Sequence, residues 1–277
     1  MSDFDVALAA VPSWPVADAG AAVVGPDGVL AAVGDLDRRF TLASVTKPLA
    51  SLAILVAVEE EALELSAPAD EDVVPGATLR HLLSHASGLA PERMLRSFPP
   101  ATRRVYSNVG IDRAGELVAD ATGMPFSTYF DQALVQPLAL RGTSLPGLPS
   151  RDGISTVADI ARVIQELLSP TGLLSRQTLD ELGSVQYPGL RGVLPGFGQQ
   201  DPNDWGLGFE IRGHKSPHWT GTTNSPRTYG HFGQRGTMFW IDPEVNLGVV
   251  ALSDRDFGPW AAEVWPVLGD AVLQVAR

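Results

Sequence analysis

Ser44-Val45-Thr46-Lys47-Pro48-Leu49-Ala50-Ser51-Leu52-Ala53-Ile54-Leu55-Val56-Ala57-Val58 is the stretch from which the rest of the chain can be read. From Pro48 to Val58 every residue except Ser51 is apolar, and Glu59-Glu60-Glu61 closes the run. This run is too short to span a bilayer, and a helix that is apolar all round belongs in a core. If the helix starts near Ser44, Pro48 falls in its first turn and breaks at most one backbone hydrogen bond. Ser44 and Lys47 then share a face, one turn apart. A serine hydroxyl is a weak nucleophile until a base takes its proton. Lysine can be that base only if its pKa falls from ~10.4 toward ~7–8, a change of about 4 kcal/mol. Burial against the apolar run disfavours the ammonium and supplies this shift. Taken alone, the tetrad reads more readily as an N-cap serine followed by a surface lysine, which is the commoner arrangement.

Working outward, two apolar runs, Ala21 to Gly25 and Val29 to Val33, flank Pro26-Asp27-Gly28 and predict a β-hairpin. Downstream, residues 63–185 read as mainly helical, with pieces at Thr78–Ser84, Ile111–Thr122 (stopped by Gly123), Val157–Leu168 and Thr178–Leu182. Gly189 to Pro202 is rich in Gly and Pro and is expected to be a loop. Strand patterns return at Leu207–Ile211, Thr237–Ile241 and Leu247–Leu252, and Trp260–Val275 is amphipathic. Strands at both ends with helices between them predict an α+β fold: one antiparallel sheet built from both termini and flanked by helices. The expected organisation is a single domain over 1–277, with 1–62 and 186–277 in an α/β lobe and 63–185 in an inserted helical lobe.

The chain has 277 residues, 44% hydrophobic and 19% charged, with a net charge of −12. That is enough apolar material for a substantial core, and the acidity without any Lys/Arg cluster argues against nucleic acid or an anionic membrane as partner. There is no cysteine, which removes disulfides, thiolate catalysis and Cys-ligated metals. The start, Met1-Ser2-Asp3-Phe4-Asp5, is acidic where a secretory signal is basic, and the expectation is a cytoplasmic protein. No cofactor or metal is expected. The oligomeric state is open.

Two further motifs change the weight of the tetrad. Tyr106-Ser107-Asn108 offers a hydroxyl able to relay a proton and an amide able to bind lysine and a substrate carbonyl. Gly230-His231-Phe232-Gly233 lies just before the strand at Thr237, where a flat edge of small residues can line a cleft. In this order, the three motifs resemble the serine β-lactamase and penicillin-binding-protein superfamily. The closer likeness is to its class C β-lactamase-like branch of D-alanyl-D-alanine carboxypeptidases, β-lactamases and related esterases. His81-Leu82-Leu83-Ser84-His85-Ala86-Ser87-Gly88-Leu89 looks like the branch's "LLSHTSGL" segment, and Trp205-Gly206-Leu207-Gly208-Phe209 like its "YGLGW" strand.

The resemblance implies a β-lactamase/transpeptidase-like fold and an acyl-enzyme on Ser44. Lys47 and Tyr106 would share acid–base work, with Asn108, His231 and Gly233 orienting the substrate. The backbone N–H groups of Ser44 and Gln234 would form the oxyanion hole. His231 stands where many relatives carry the lysine of K-T-G, which points to a small carboxylic ester (or amide) as substrate. A β-lactamase, a D,D-peptidase and a catalytically idle ligand-binding relative are the alternatives. Two departures bear on substrate range: the stretch between Ser44 and Tyr106 looks trimmed, and Arg235 puts a cation beside the expected cleft.

Other residues invite a function but read better as structural. His81 and His85 are spaced to face one metal but lack a third ligand. Ser87 lacks the first glycine of a nucleophile elbow. Pro217 interrupts any helix joining His214 to His218. Trp240 is expected in the core, and Arg235 is divided between an anion contact and a surface ion pair.

Overall fold

The computed structural model describes residues 2–277. A short helix, α1 (Asp3–Leu8), opens the chain behind a Ser2–Asp5 capping box. The predicted hairpin follows as β1 (Ala19–Gly25) and β2 (Gly28–Val33). Next come β3 (Phe40–Thr41), a 3₁₀ turn at Ala43–Val45 and α2 (Thr46–Glu59). Ser44 therefore sits on the tight turn before α2 rather than in the helix itself. The central stretch contributes α3 (Leu79–Leu83), α4 (Asn108–Thr122), α5 (Phe126–Phe130), β4 (Ile154–Ser155), α6 (Val157–Leu168) and α7 (Arg176–Leu182). As the sequence predicts, α4 stops at Gly123, where φ is +70°.

The loop expected between Gly189 and Pro202 instead contains a small hairpin, β5 (Gly192–Leu194) and β6 (Gly198–Gln200). Gly196 and Gly198 take positive φ in and beside its turn, so the glycines mark the bend of a hairpin rather than an absence of structure. Of the strand predicted over Leu207–Ile211, only β7 (Glu210–Ile211) forms. The reason is Gly208, which has φ +83° and lies so close to α2 that an added Cβ would be 1.9 Å from Ser51 Oγ. The motif around His231 is itself a strand, β8 (Tyr229–Gly233), followed by β9 (Thr237–Asp242), β10 (Leu247–Ser253) and α8 (Pro259–Ala276).

The main sheet runs β2-β1-β10-β9-β8-β7, with every neighbouring pair antiparallel. Both termini thus build one sheet. Period-2 alternation divides its side chains between two cores. Ala22, Val24, Phe239, Ile241, Val250 and Leu252 face α2 and α6. Ala21, Val23, Met238, Trp240, Val249 and Ala251 face α1 and α8. Every residue of α2 from Thr46 to Ala57 is buried, which explains a helix with no polar face. Helix α6, within residues 63–185, packs on β1 and β10. Near α3, the buried guanidinium of Arg104 donates to the carbonyls of Ser84, Gln186, Tyr187 and Asn203, pinning three loops together.

Candidate active site

The site is built where the turn before α2 meets the end of β8. Strand β3 pairs with β4, and Leu42 N donates to Gly153 O (2.8 Å), which fixes the approach to the turn. Ala43 then takes φ +47°, a strained left-handed conformation for a residue with a Cβ. Leu42 O is held by Val45 N (3.2 Å) and by Thr237 Oγ1 (2.7 Å) from β9. Gly233 at the end of β8 lies against this turn: a Cβ there would stand 2.2 Å from Leu42 O and 3.2 Å from Ser44 N. Gln234 follows directly, so the peptides of Ser44 and Gln234 belong to the two segments that meet here.

Lys47 is fully buried, with Nζ 3.1 Å from Ser44 Oγ and 2.8 Å from the carbonyl of Ser150. Among the described residues no carboxylate lies within ion-pairing distance of it. Burial pushes its pKa down to about 7, against a smaller upward pull from Asp112. Asp112 serves Lys47 indirectly: its Oδ1 accepts from Ser150 N (3.0 Å), holding the peptide whose carbonyl binds the amine. A backbone carbonyl leaves no mark in a sequence, so neither Ser150 nor Asp112 could be read there.

Tyr106 precedes α4, and its hydroxyl donates to Ser44 Oγ at 2.7 Å. Burial pushes its pKa well above the ordinary tyrosine value, so the phenol stays protonated across the working range of an enzyme. The tyrosine ring lies 4.7 Å from Lys47 Nζ. His231 Nε2 is 3.5 Å from the tyrosine hydroxyl, and its Nδ1 is 2.6 Å from Phe232 O. A carbonyl can only accept, so Nδ1 carries the proton and Nε2 faces the site as an acceptor. Burial, then the nearby charge of Lys47, pulls the imidazole down to about 3, leaving it uncharged. Lysine in K-T-G would be a cation at this position; His231 is not.

Asn108 caps the corner in an unexpected way. Its amide nitrogen donates to Glu92 Oε1, and Glu92 Oε2 pairs with Arg151 at 3.2 Å. The bond to lysine that the sequence suggested for Asn108 is made instead by the Ser150 carbonyl. Beside Ala43 a groove of about 430 Å³ is lined by Pro146, Arg151, Gly153, Ile154 and Arg235. Arg235 is on the surface and pairs with Asp256 at 2.9 Å.

The remaining tempting residues go elsewhere. His81 Nδ1 accepts from Thr78 N, while His85 Nδ1 accepts from Ser107 N, so the two histidines serve different elements. His218 joins a buried cluster with Glu210, Lys215 and Trp219. Glu210 is held well below the usual carboxylate range by Lys215 and His218, against the opposing effect of its burial. Ser87 Oγ accepts from Leu89 N, and Trp240 lies in the core beneath α8. No helix among the described residues is long and apolar enough to cross a membrane.

The beta-lactamase family profile matches residues 15–274. The crystal structure of a beta-lactamase from Mycobacterium bovis superposes with a TM-score of 0.95 at 50% identity, covering 98% of this chain and 99% of that one. A hydrolase with promiscuous acyltransferase activity, EstCE1, superposes at 0.80 with 17% identity over 98% of this chain and all of its own, a likeness of fold alone. A protein of Escherichia coli strain K12, named a putative D-alanyl-D-alanine carboxypeptidase, is 25% identical over 249 residues. That match covers 70% of this chain and 55% of the relative, so the chain spans about half the length of the curated relatives it matches. With the family match extending over nearly its whole length, the chain belongs to the beta-lactamase family of serine hydrolases.

Proposed function

We propose that the chain cleaves small carboxylic esters (or amides) through an acyl-enzyme on Ser44. The observation that carries this reading is the geometry around His231: its Nδ1 lies 2.6 Å from Phe232 O, so Nε2 faces the site as an acceptor on a buried imidazole, beside a buried amine 3.1 Å from Ser44 Oγ. Such a site has a base ready near neutral pH but no fixed cation at His231 to draw in a substrate carboxylate. Ser44 Oγ attacks the carbonyl carbon as its proton passes to Lys47 Nζ. The N–H groups of Ser44 and Gln234 receive the developing oxyanion. Tyr106 is too poor an acid to act as a phenolate base, so its role is relay: it gives its proton to the departing alkoxide and regains one from Lys47. Water then enters and the same groups run in reverse, releasing the acid and free Ser44.

A second reading, turnover of β-lactams or D,D-peptides by the same acyl-enzyme, is supported by the 50% identity to the Mycobacterium bovis beta-lactamase. The readings separate in one panel: p-nitrophenyl acetate and butyrate, nitrocefin, and D-alanyl-D-alanine peptides. Esters are expected to be turned over fastest, and a large preference for nitrocefin would replace the first reading with the second. Intact mass after a fluorophosphonate is expected to show one adduct, absent in Ser44→Ala. Absence of any adduct on the wild-type protein would mean an idle, ligand-binding relative.

Asn108 is to orient the substrate, and its amide must first leave Glu92. Glu92→Ala is therefore expected to lower KM for esters about 3–10-fold, the equivalent of ~1 kcal/mol, with kcat little changed. An unchanged KM would mean that the carboxylate does not compete for that amide.

A further inference from the structure

Tyr106 must hold its hydroxyl 2.7 Å from Ser44 Oγ, yet it stands in a loop just before α4. Among the described residues its hydroxyl has no hydrogen-bonding partner besides Ser44 and the more distant His231. The N–H groups of the residues on either side of it, Val105 and Ser107, both donate to one residue. Val105 N donates to His85 O at 2.9 Å, and Ser107 N donates to His85 Nδ1 at 3.1 Å. The imidazole also packs on the phenol ring, with centroids 4.7 Å apart, and meets Trp205 nearly at right angles, 4.5 Å away. Other bonds near here, Ser107 Oγ to Ala90 O, Gly110 N to Ser107 Oγ and Asn108 N to Pro91 O, anchor the start of α4 rather than the tyrosine.

His85 occupies this place at a cost. It is 1% exposed and has φ +55°, a left-handed conformation uncommon for any residue but Gly, with Asn, Asp and His the commoner exceptions. Because Nδ1 accepts, Nε2 carries the proton, and that buried N–H has no hydrogen-bonding partner among the described residues. An apolar side chain there would carry no unpaired N–H of its own, but it would strip the buried Ser107 N of its acceptor.

We propose that His85 is a positioning residue: it takes the N–H groups on both sides of Tyr106 and supports its ring, so that the phenol meets the nucleophile. The inference rests on the reading that Tyr106 relays protons during acylation of Ser44. Two substitutions separate its parts. His85→Phe keeps a ring and removes the acceptor. His85→Asn keeps an acceptor at the place of Nδ1, suits positive φ, and removes most of the ring.

The experiment compares kcat and KM for an alkyl ester, ethyl butyrate, whose departing ethoxide needs a proton, with thermal melts as the check on folding. His85→Phe is expected to lose about 100-fold in kcat, the scale of a displacement near 1 Å, with KM within about 2-fold. His85→Asn is expected to recover about 10-fold of that loss. Added to Tyr106→Phe, His85→Phe should cause less than about a 3-fold further loss, since the hydroxyl it positions is gone. Equal kcat in wild type and His85→Phe, or fully multiplicative losses in the double variant, would overturn the proposal. Should His85→Phe not fold, His85→Asn decides: about a 10-fold loss in kcat supports it, and a loss as large as that of Tyr106→Phe overturns it. Failure of the Ser44 reading is distinguishable, because the wild-type protein would then form no adduct and Tyr106→Phe would change nothing.

Discussion

Lys47→Arg is expected to slow acylation of Ser44 by about 10³-fold, with a thermal melt of the variant to separate lost chemistry from lost fold. A guanidinium keeps its proton at any working pH and cannot accept one from serine. The wild-type amine can, because burial takes its pKa from 10.5 to about 7. The same displacement fixes the pH profile. Below about pH 7 Lys47 is an ammonium with no lone pair, so kcat/KM should rise with pH through about 7 and then level off. Stability should follow as well. Between pH 7 and 10.5 the unfolded chain binds more protons at this residue than the folded one, so folding becomes more favourable as pH rises. The penalty is fully present below about 7. Lys47→Met removes it, and the stability of that variant relative to wild type should fall by about 4 kcal/mol between pH 6 and pH 10. Urea melts at the two pH values measure this. An active arginine variant, or a melting difference independent of pH, would mean that another group is the base.

Gly233→Ala is expected to cost about 100-fold in kcat and about 1–3 kcal/mol in stability, although it adds one methyl group. The new Cβ would lie 2.2 Å from Leu42 O and 2.5 Å from Thr237 Oγ1. Neither neighbour can yield alone, because the two are hydrogen-bonded to each other at 2.7 Å. The strand and the turn must separate, and Ser44 N, 3.2 Å from the added carbon, moves with the turn. Gly258→Ala is the control: its Cβ would meet nothing nearer than 3.9 Å, and activity should not change. The measurements are steady-state ester hydrolysis and a thermal melt on each variant. A Gly233→Ala protein with normal kcat would show that the end of β8 does not set the geometry of the nucleophile.

The local pattern of the sequence was enough for much of this protein. The apolar run after Lys47 determined a buried helix, and Pro26-Asp27-Gly28 determined a turn between strands. The strands at the two ends implied one antiparallel sheet. Ser44, Lys47, Tyr106 and His231 could be grouped because their motifs, in that order, resemble those of one superfamily, and the fold brings all four side chains together. At Leu207-Gly208-Phe209 the local pattern misled because of a long-range contact: the segment is bent away from strand geometry by the close approach of Gly208 to Ser51.

The rest depended on the tertiary structure. The acceptor that shares Lys47 with Ser44 is a backbone carbonyl at Ser150, more than a hundred residues away in sequence. Glu92 reaches Asn108 from a loop, and His85 grips the peptides flanking Tyr106. Hydrogen bonds of this kind join residues distant along the chain, and carbonyls look alike at every position, so no spacing or composition announces them. Sequence periodicity encodes which side chains are buried. Which polar atoms meet inside, and therefore which protons can move, is decided only when the chain has closed around them.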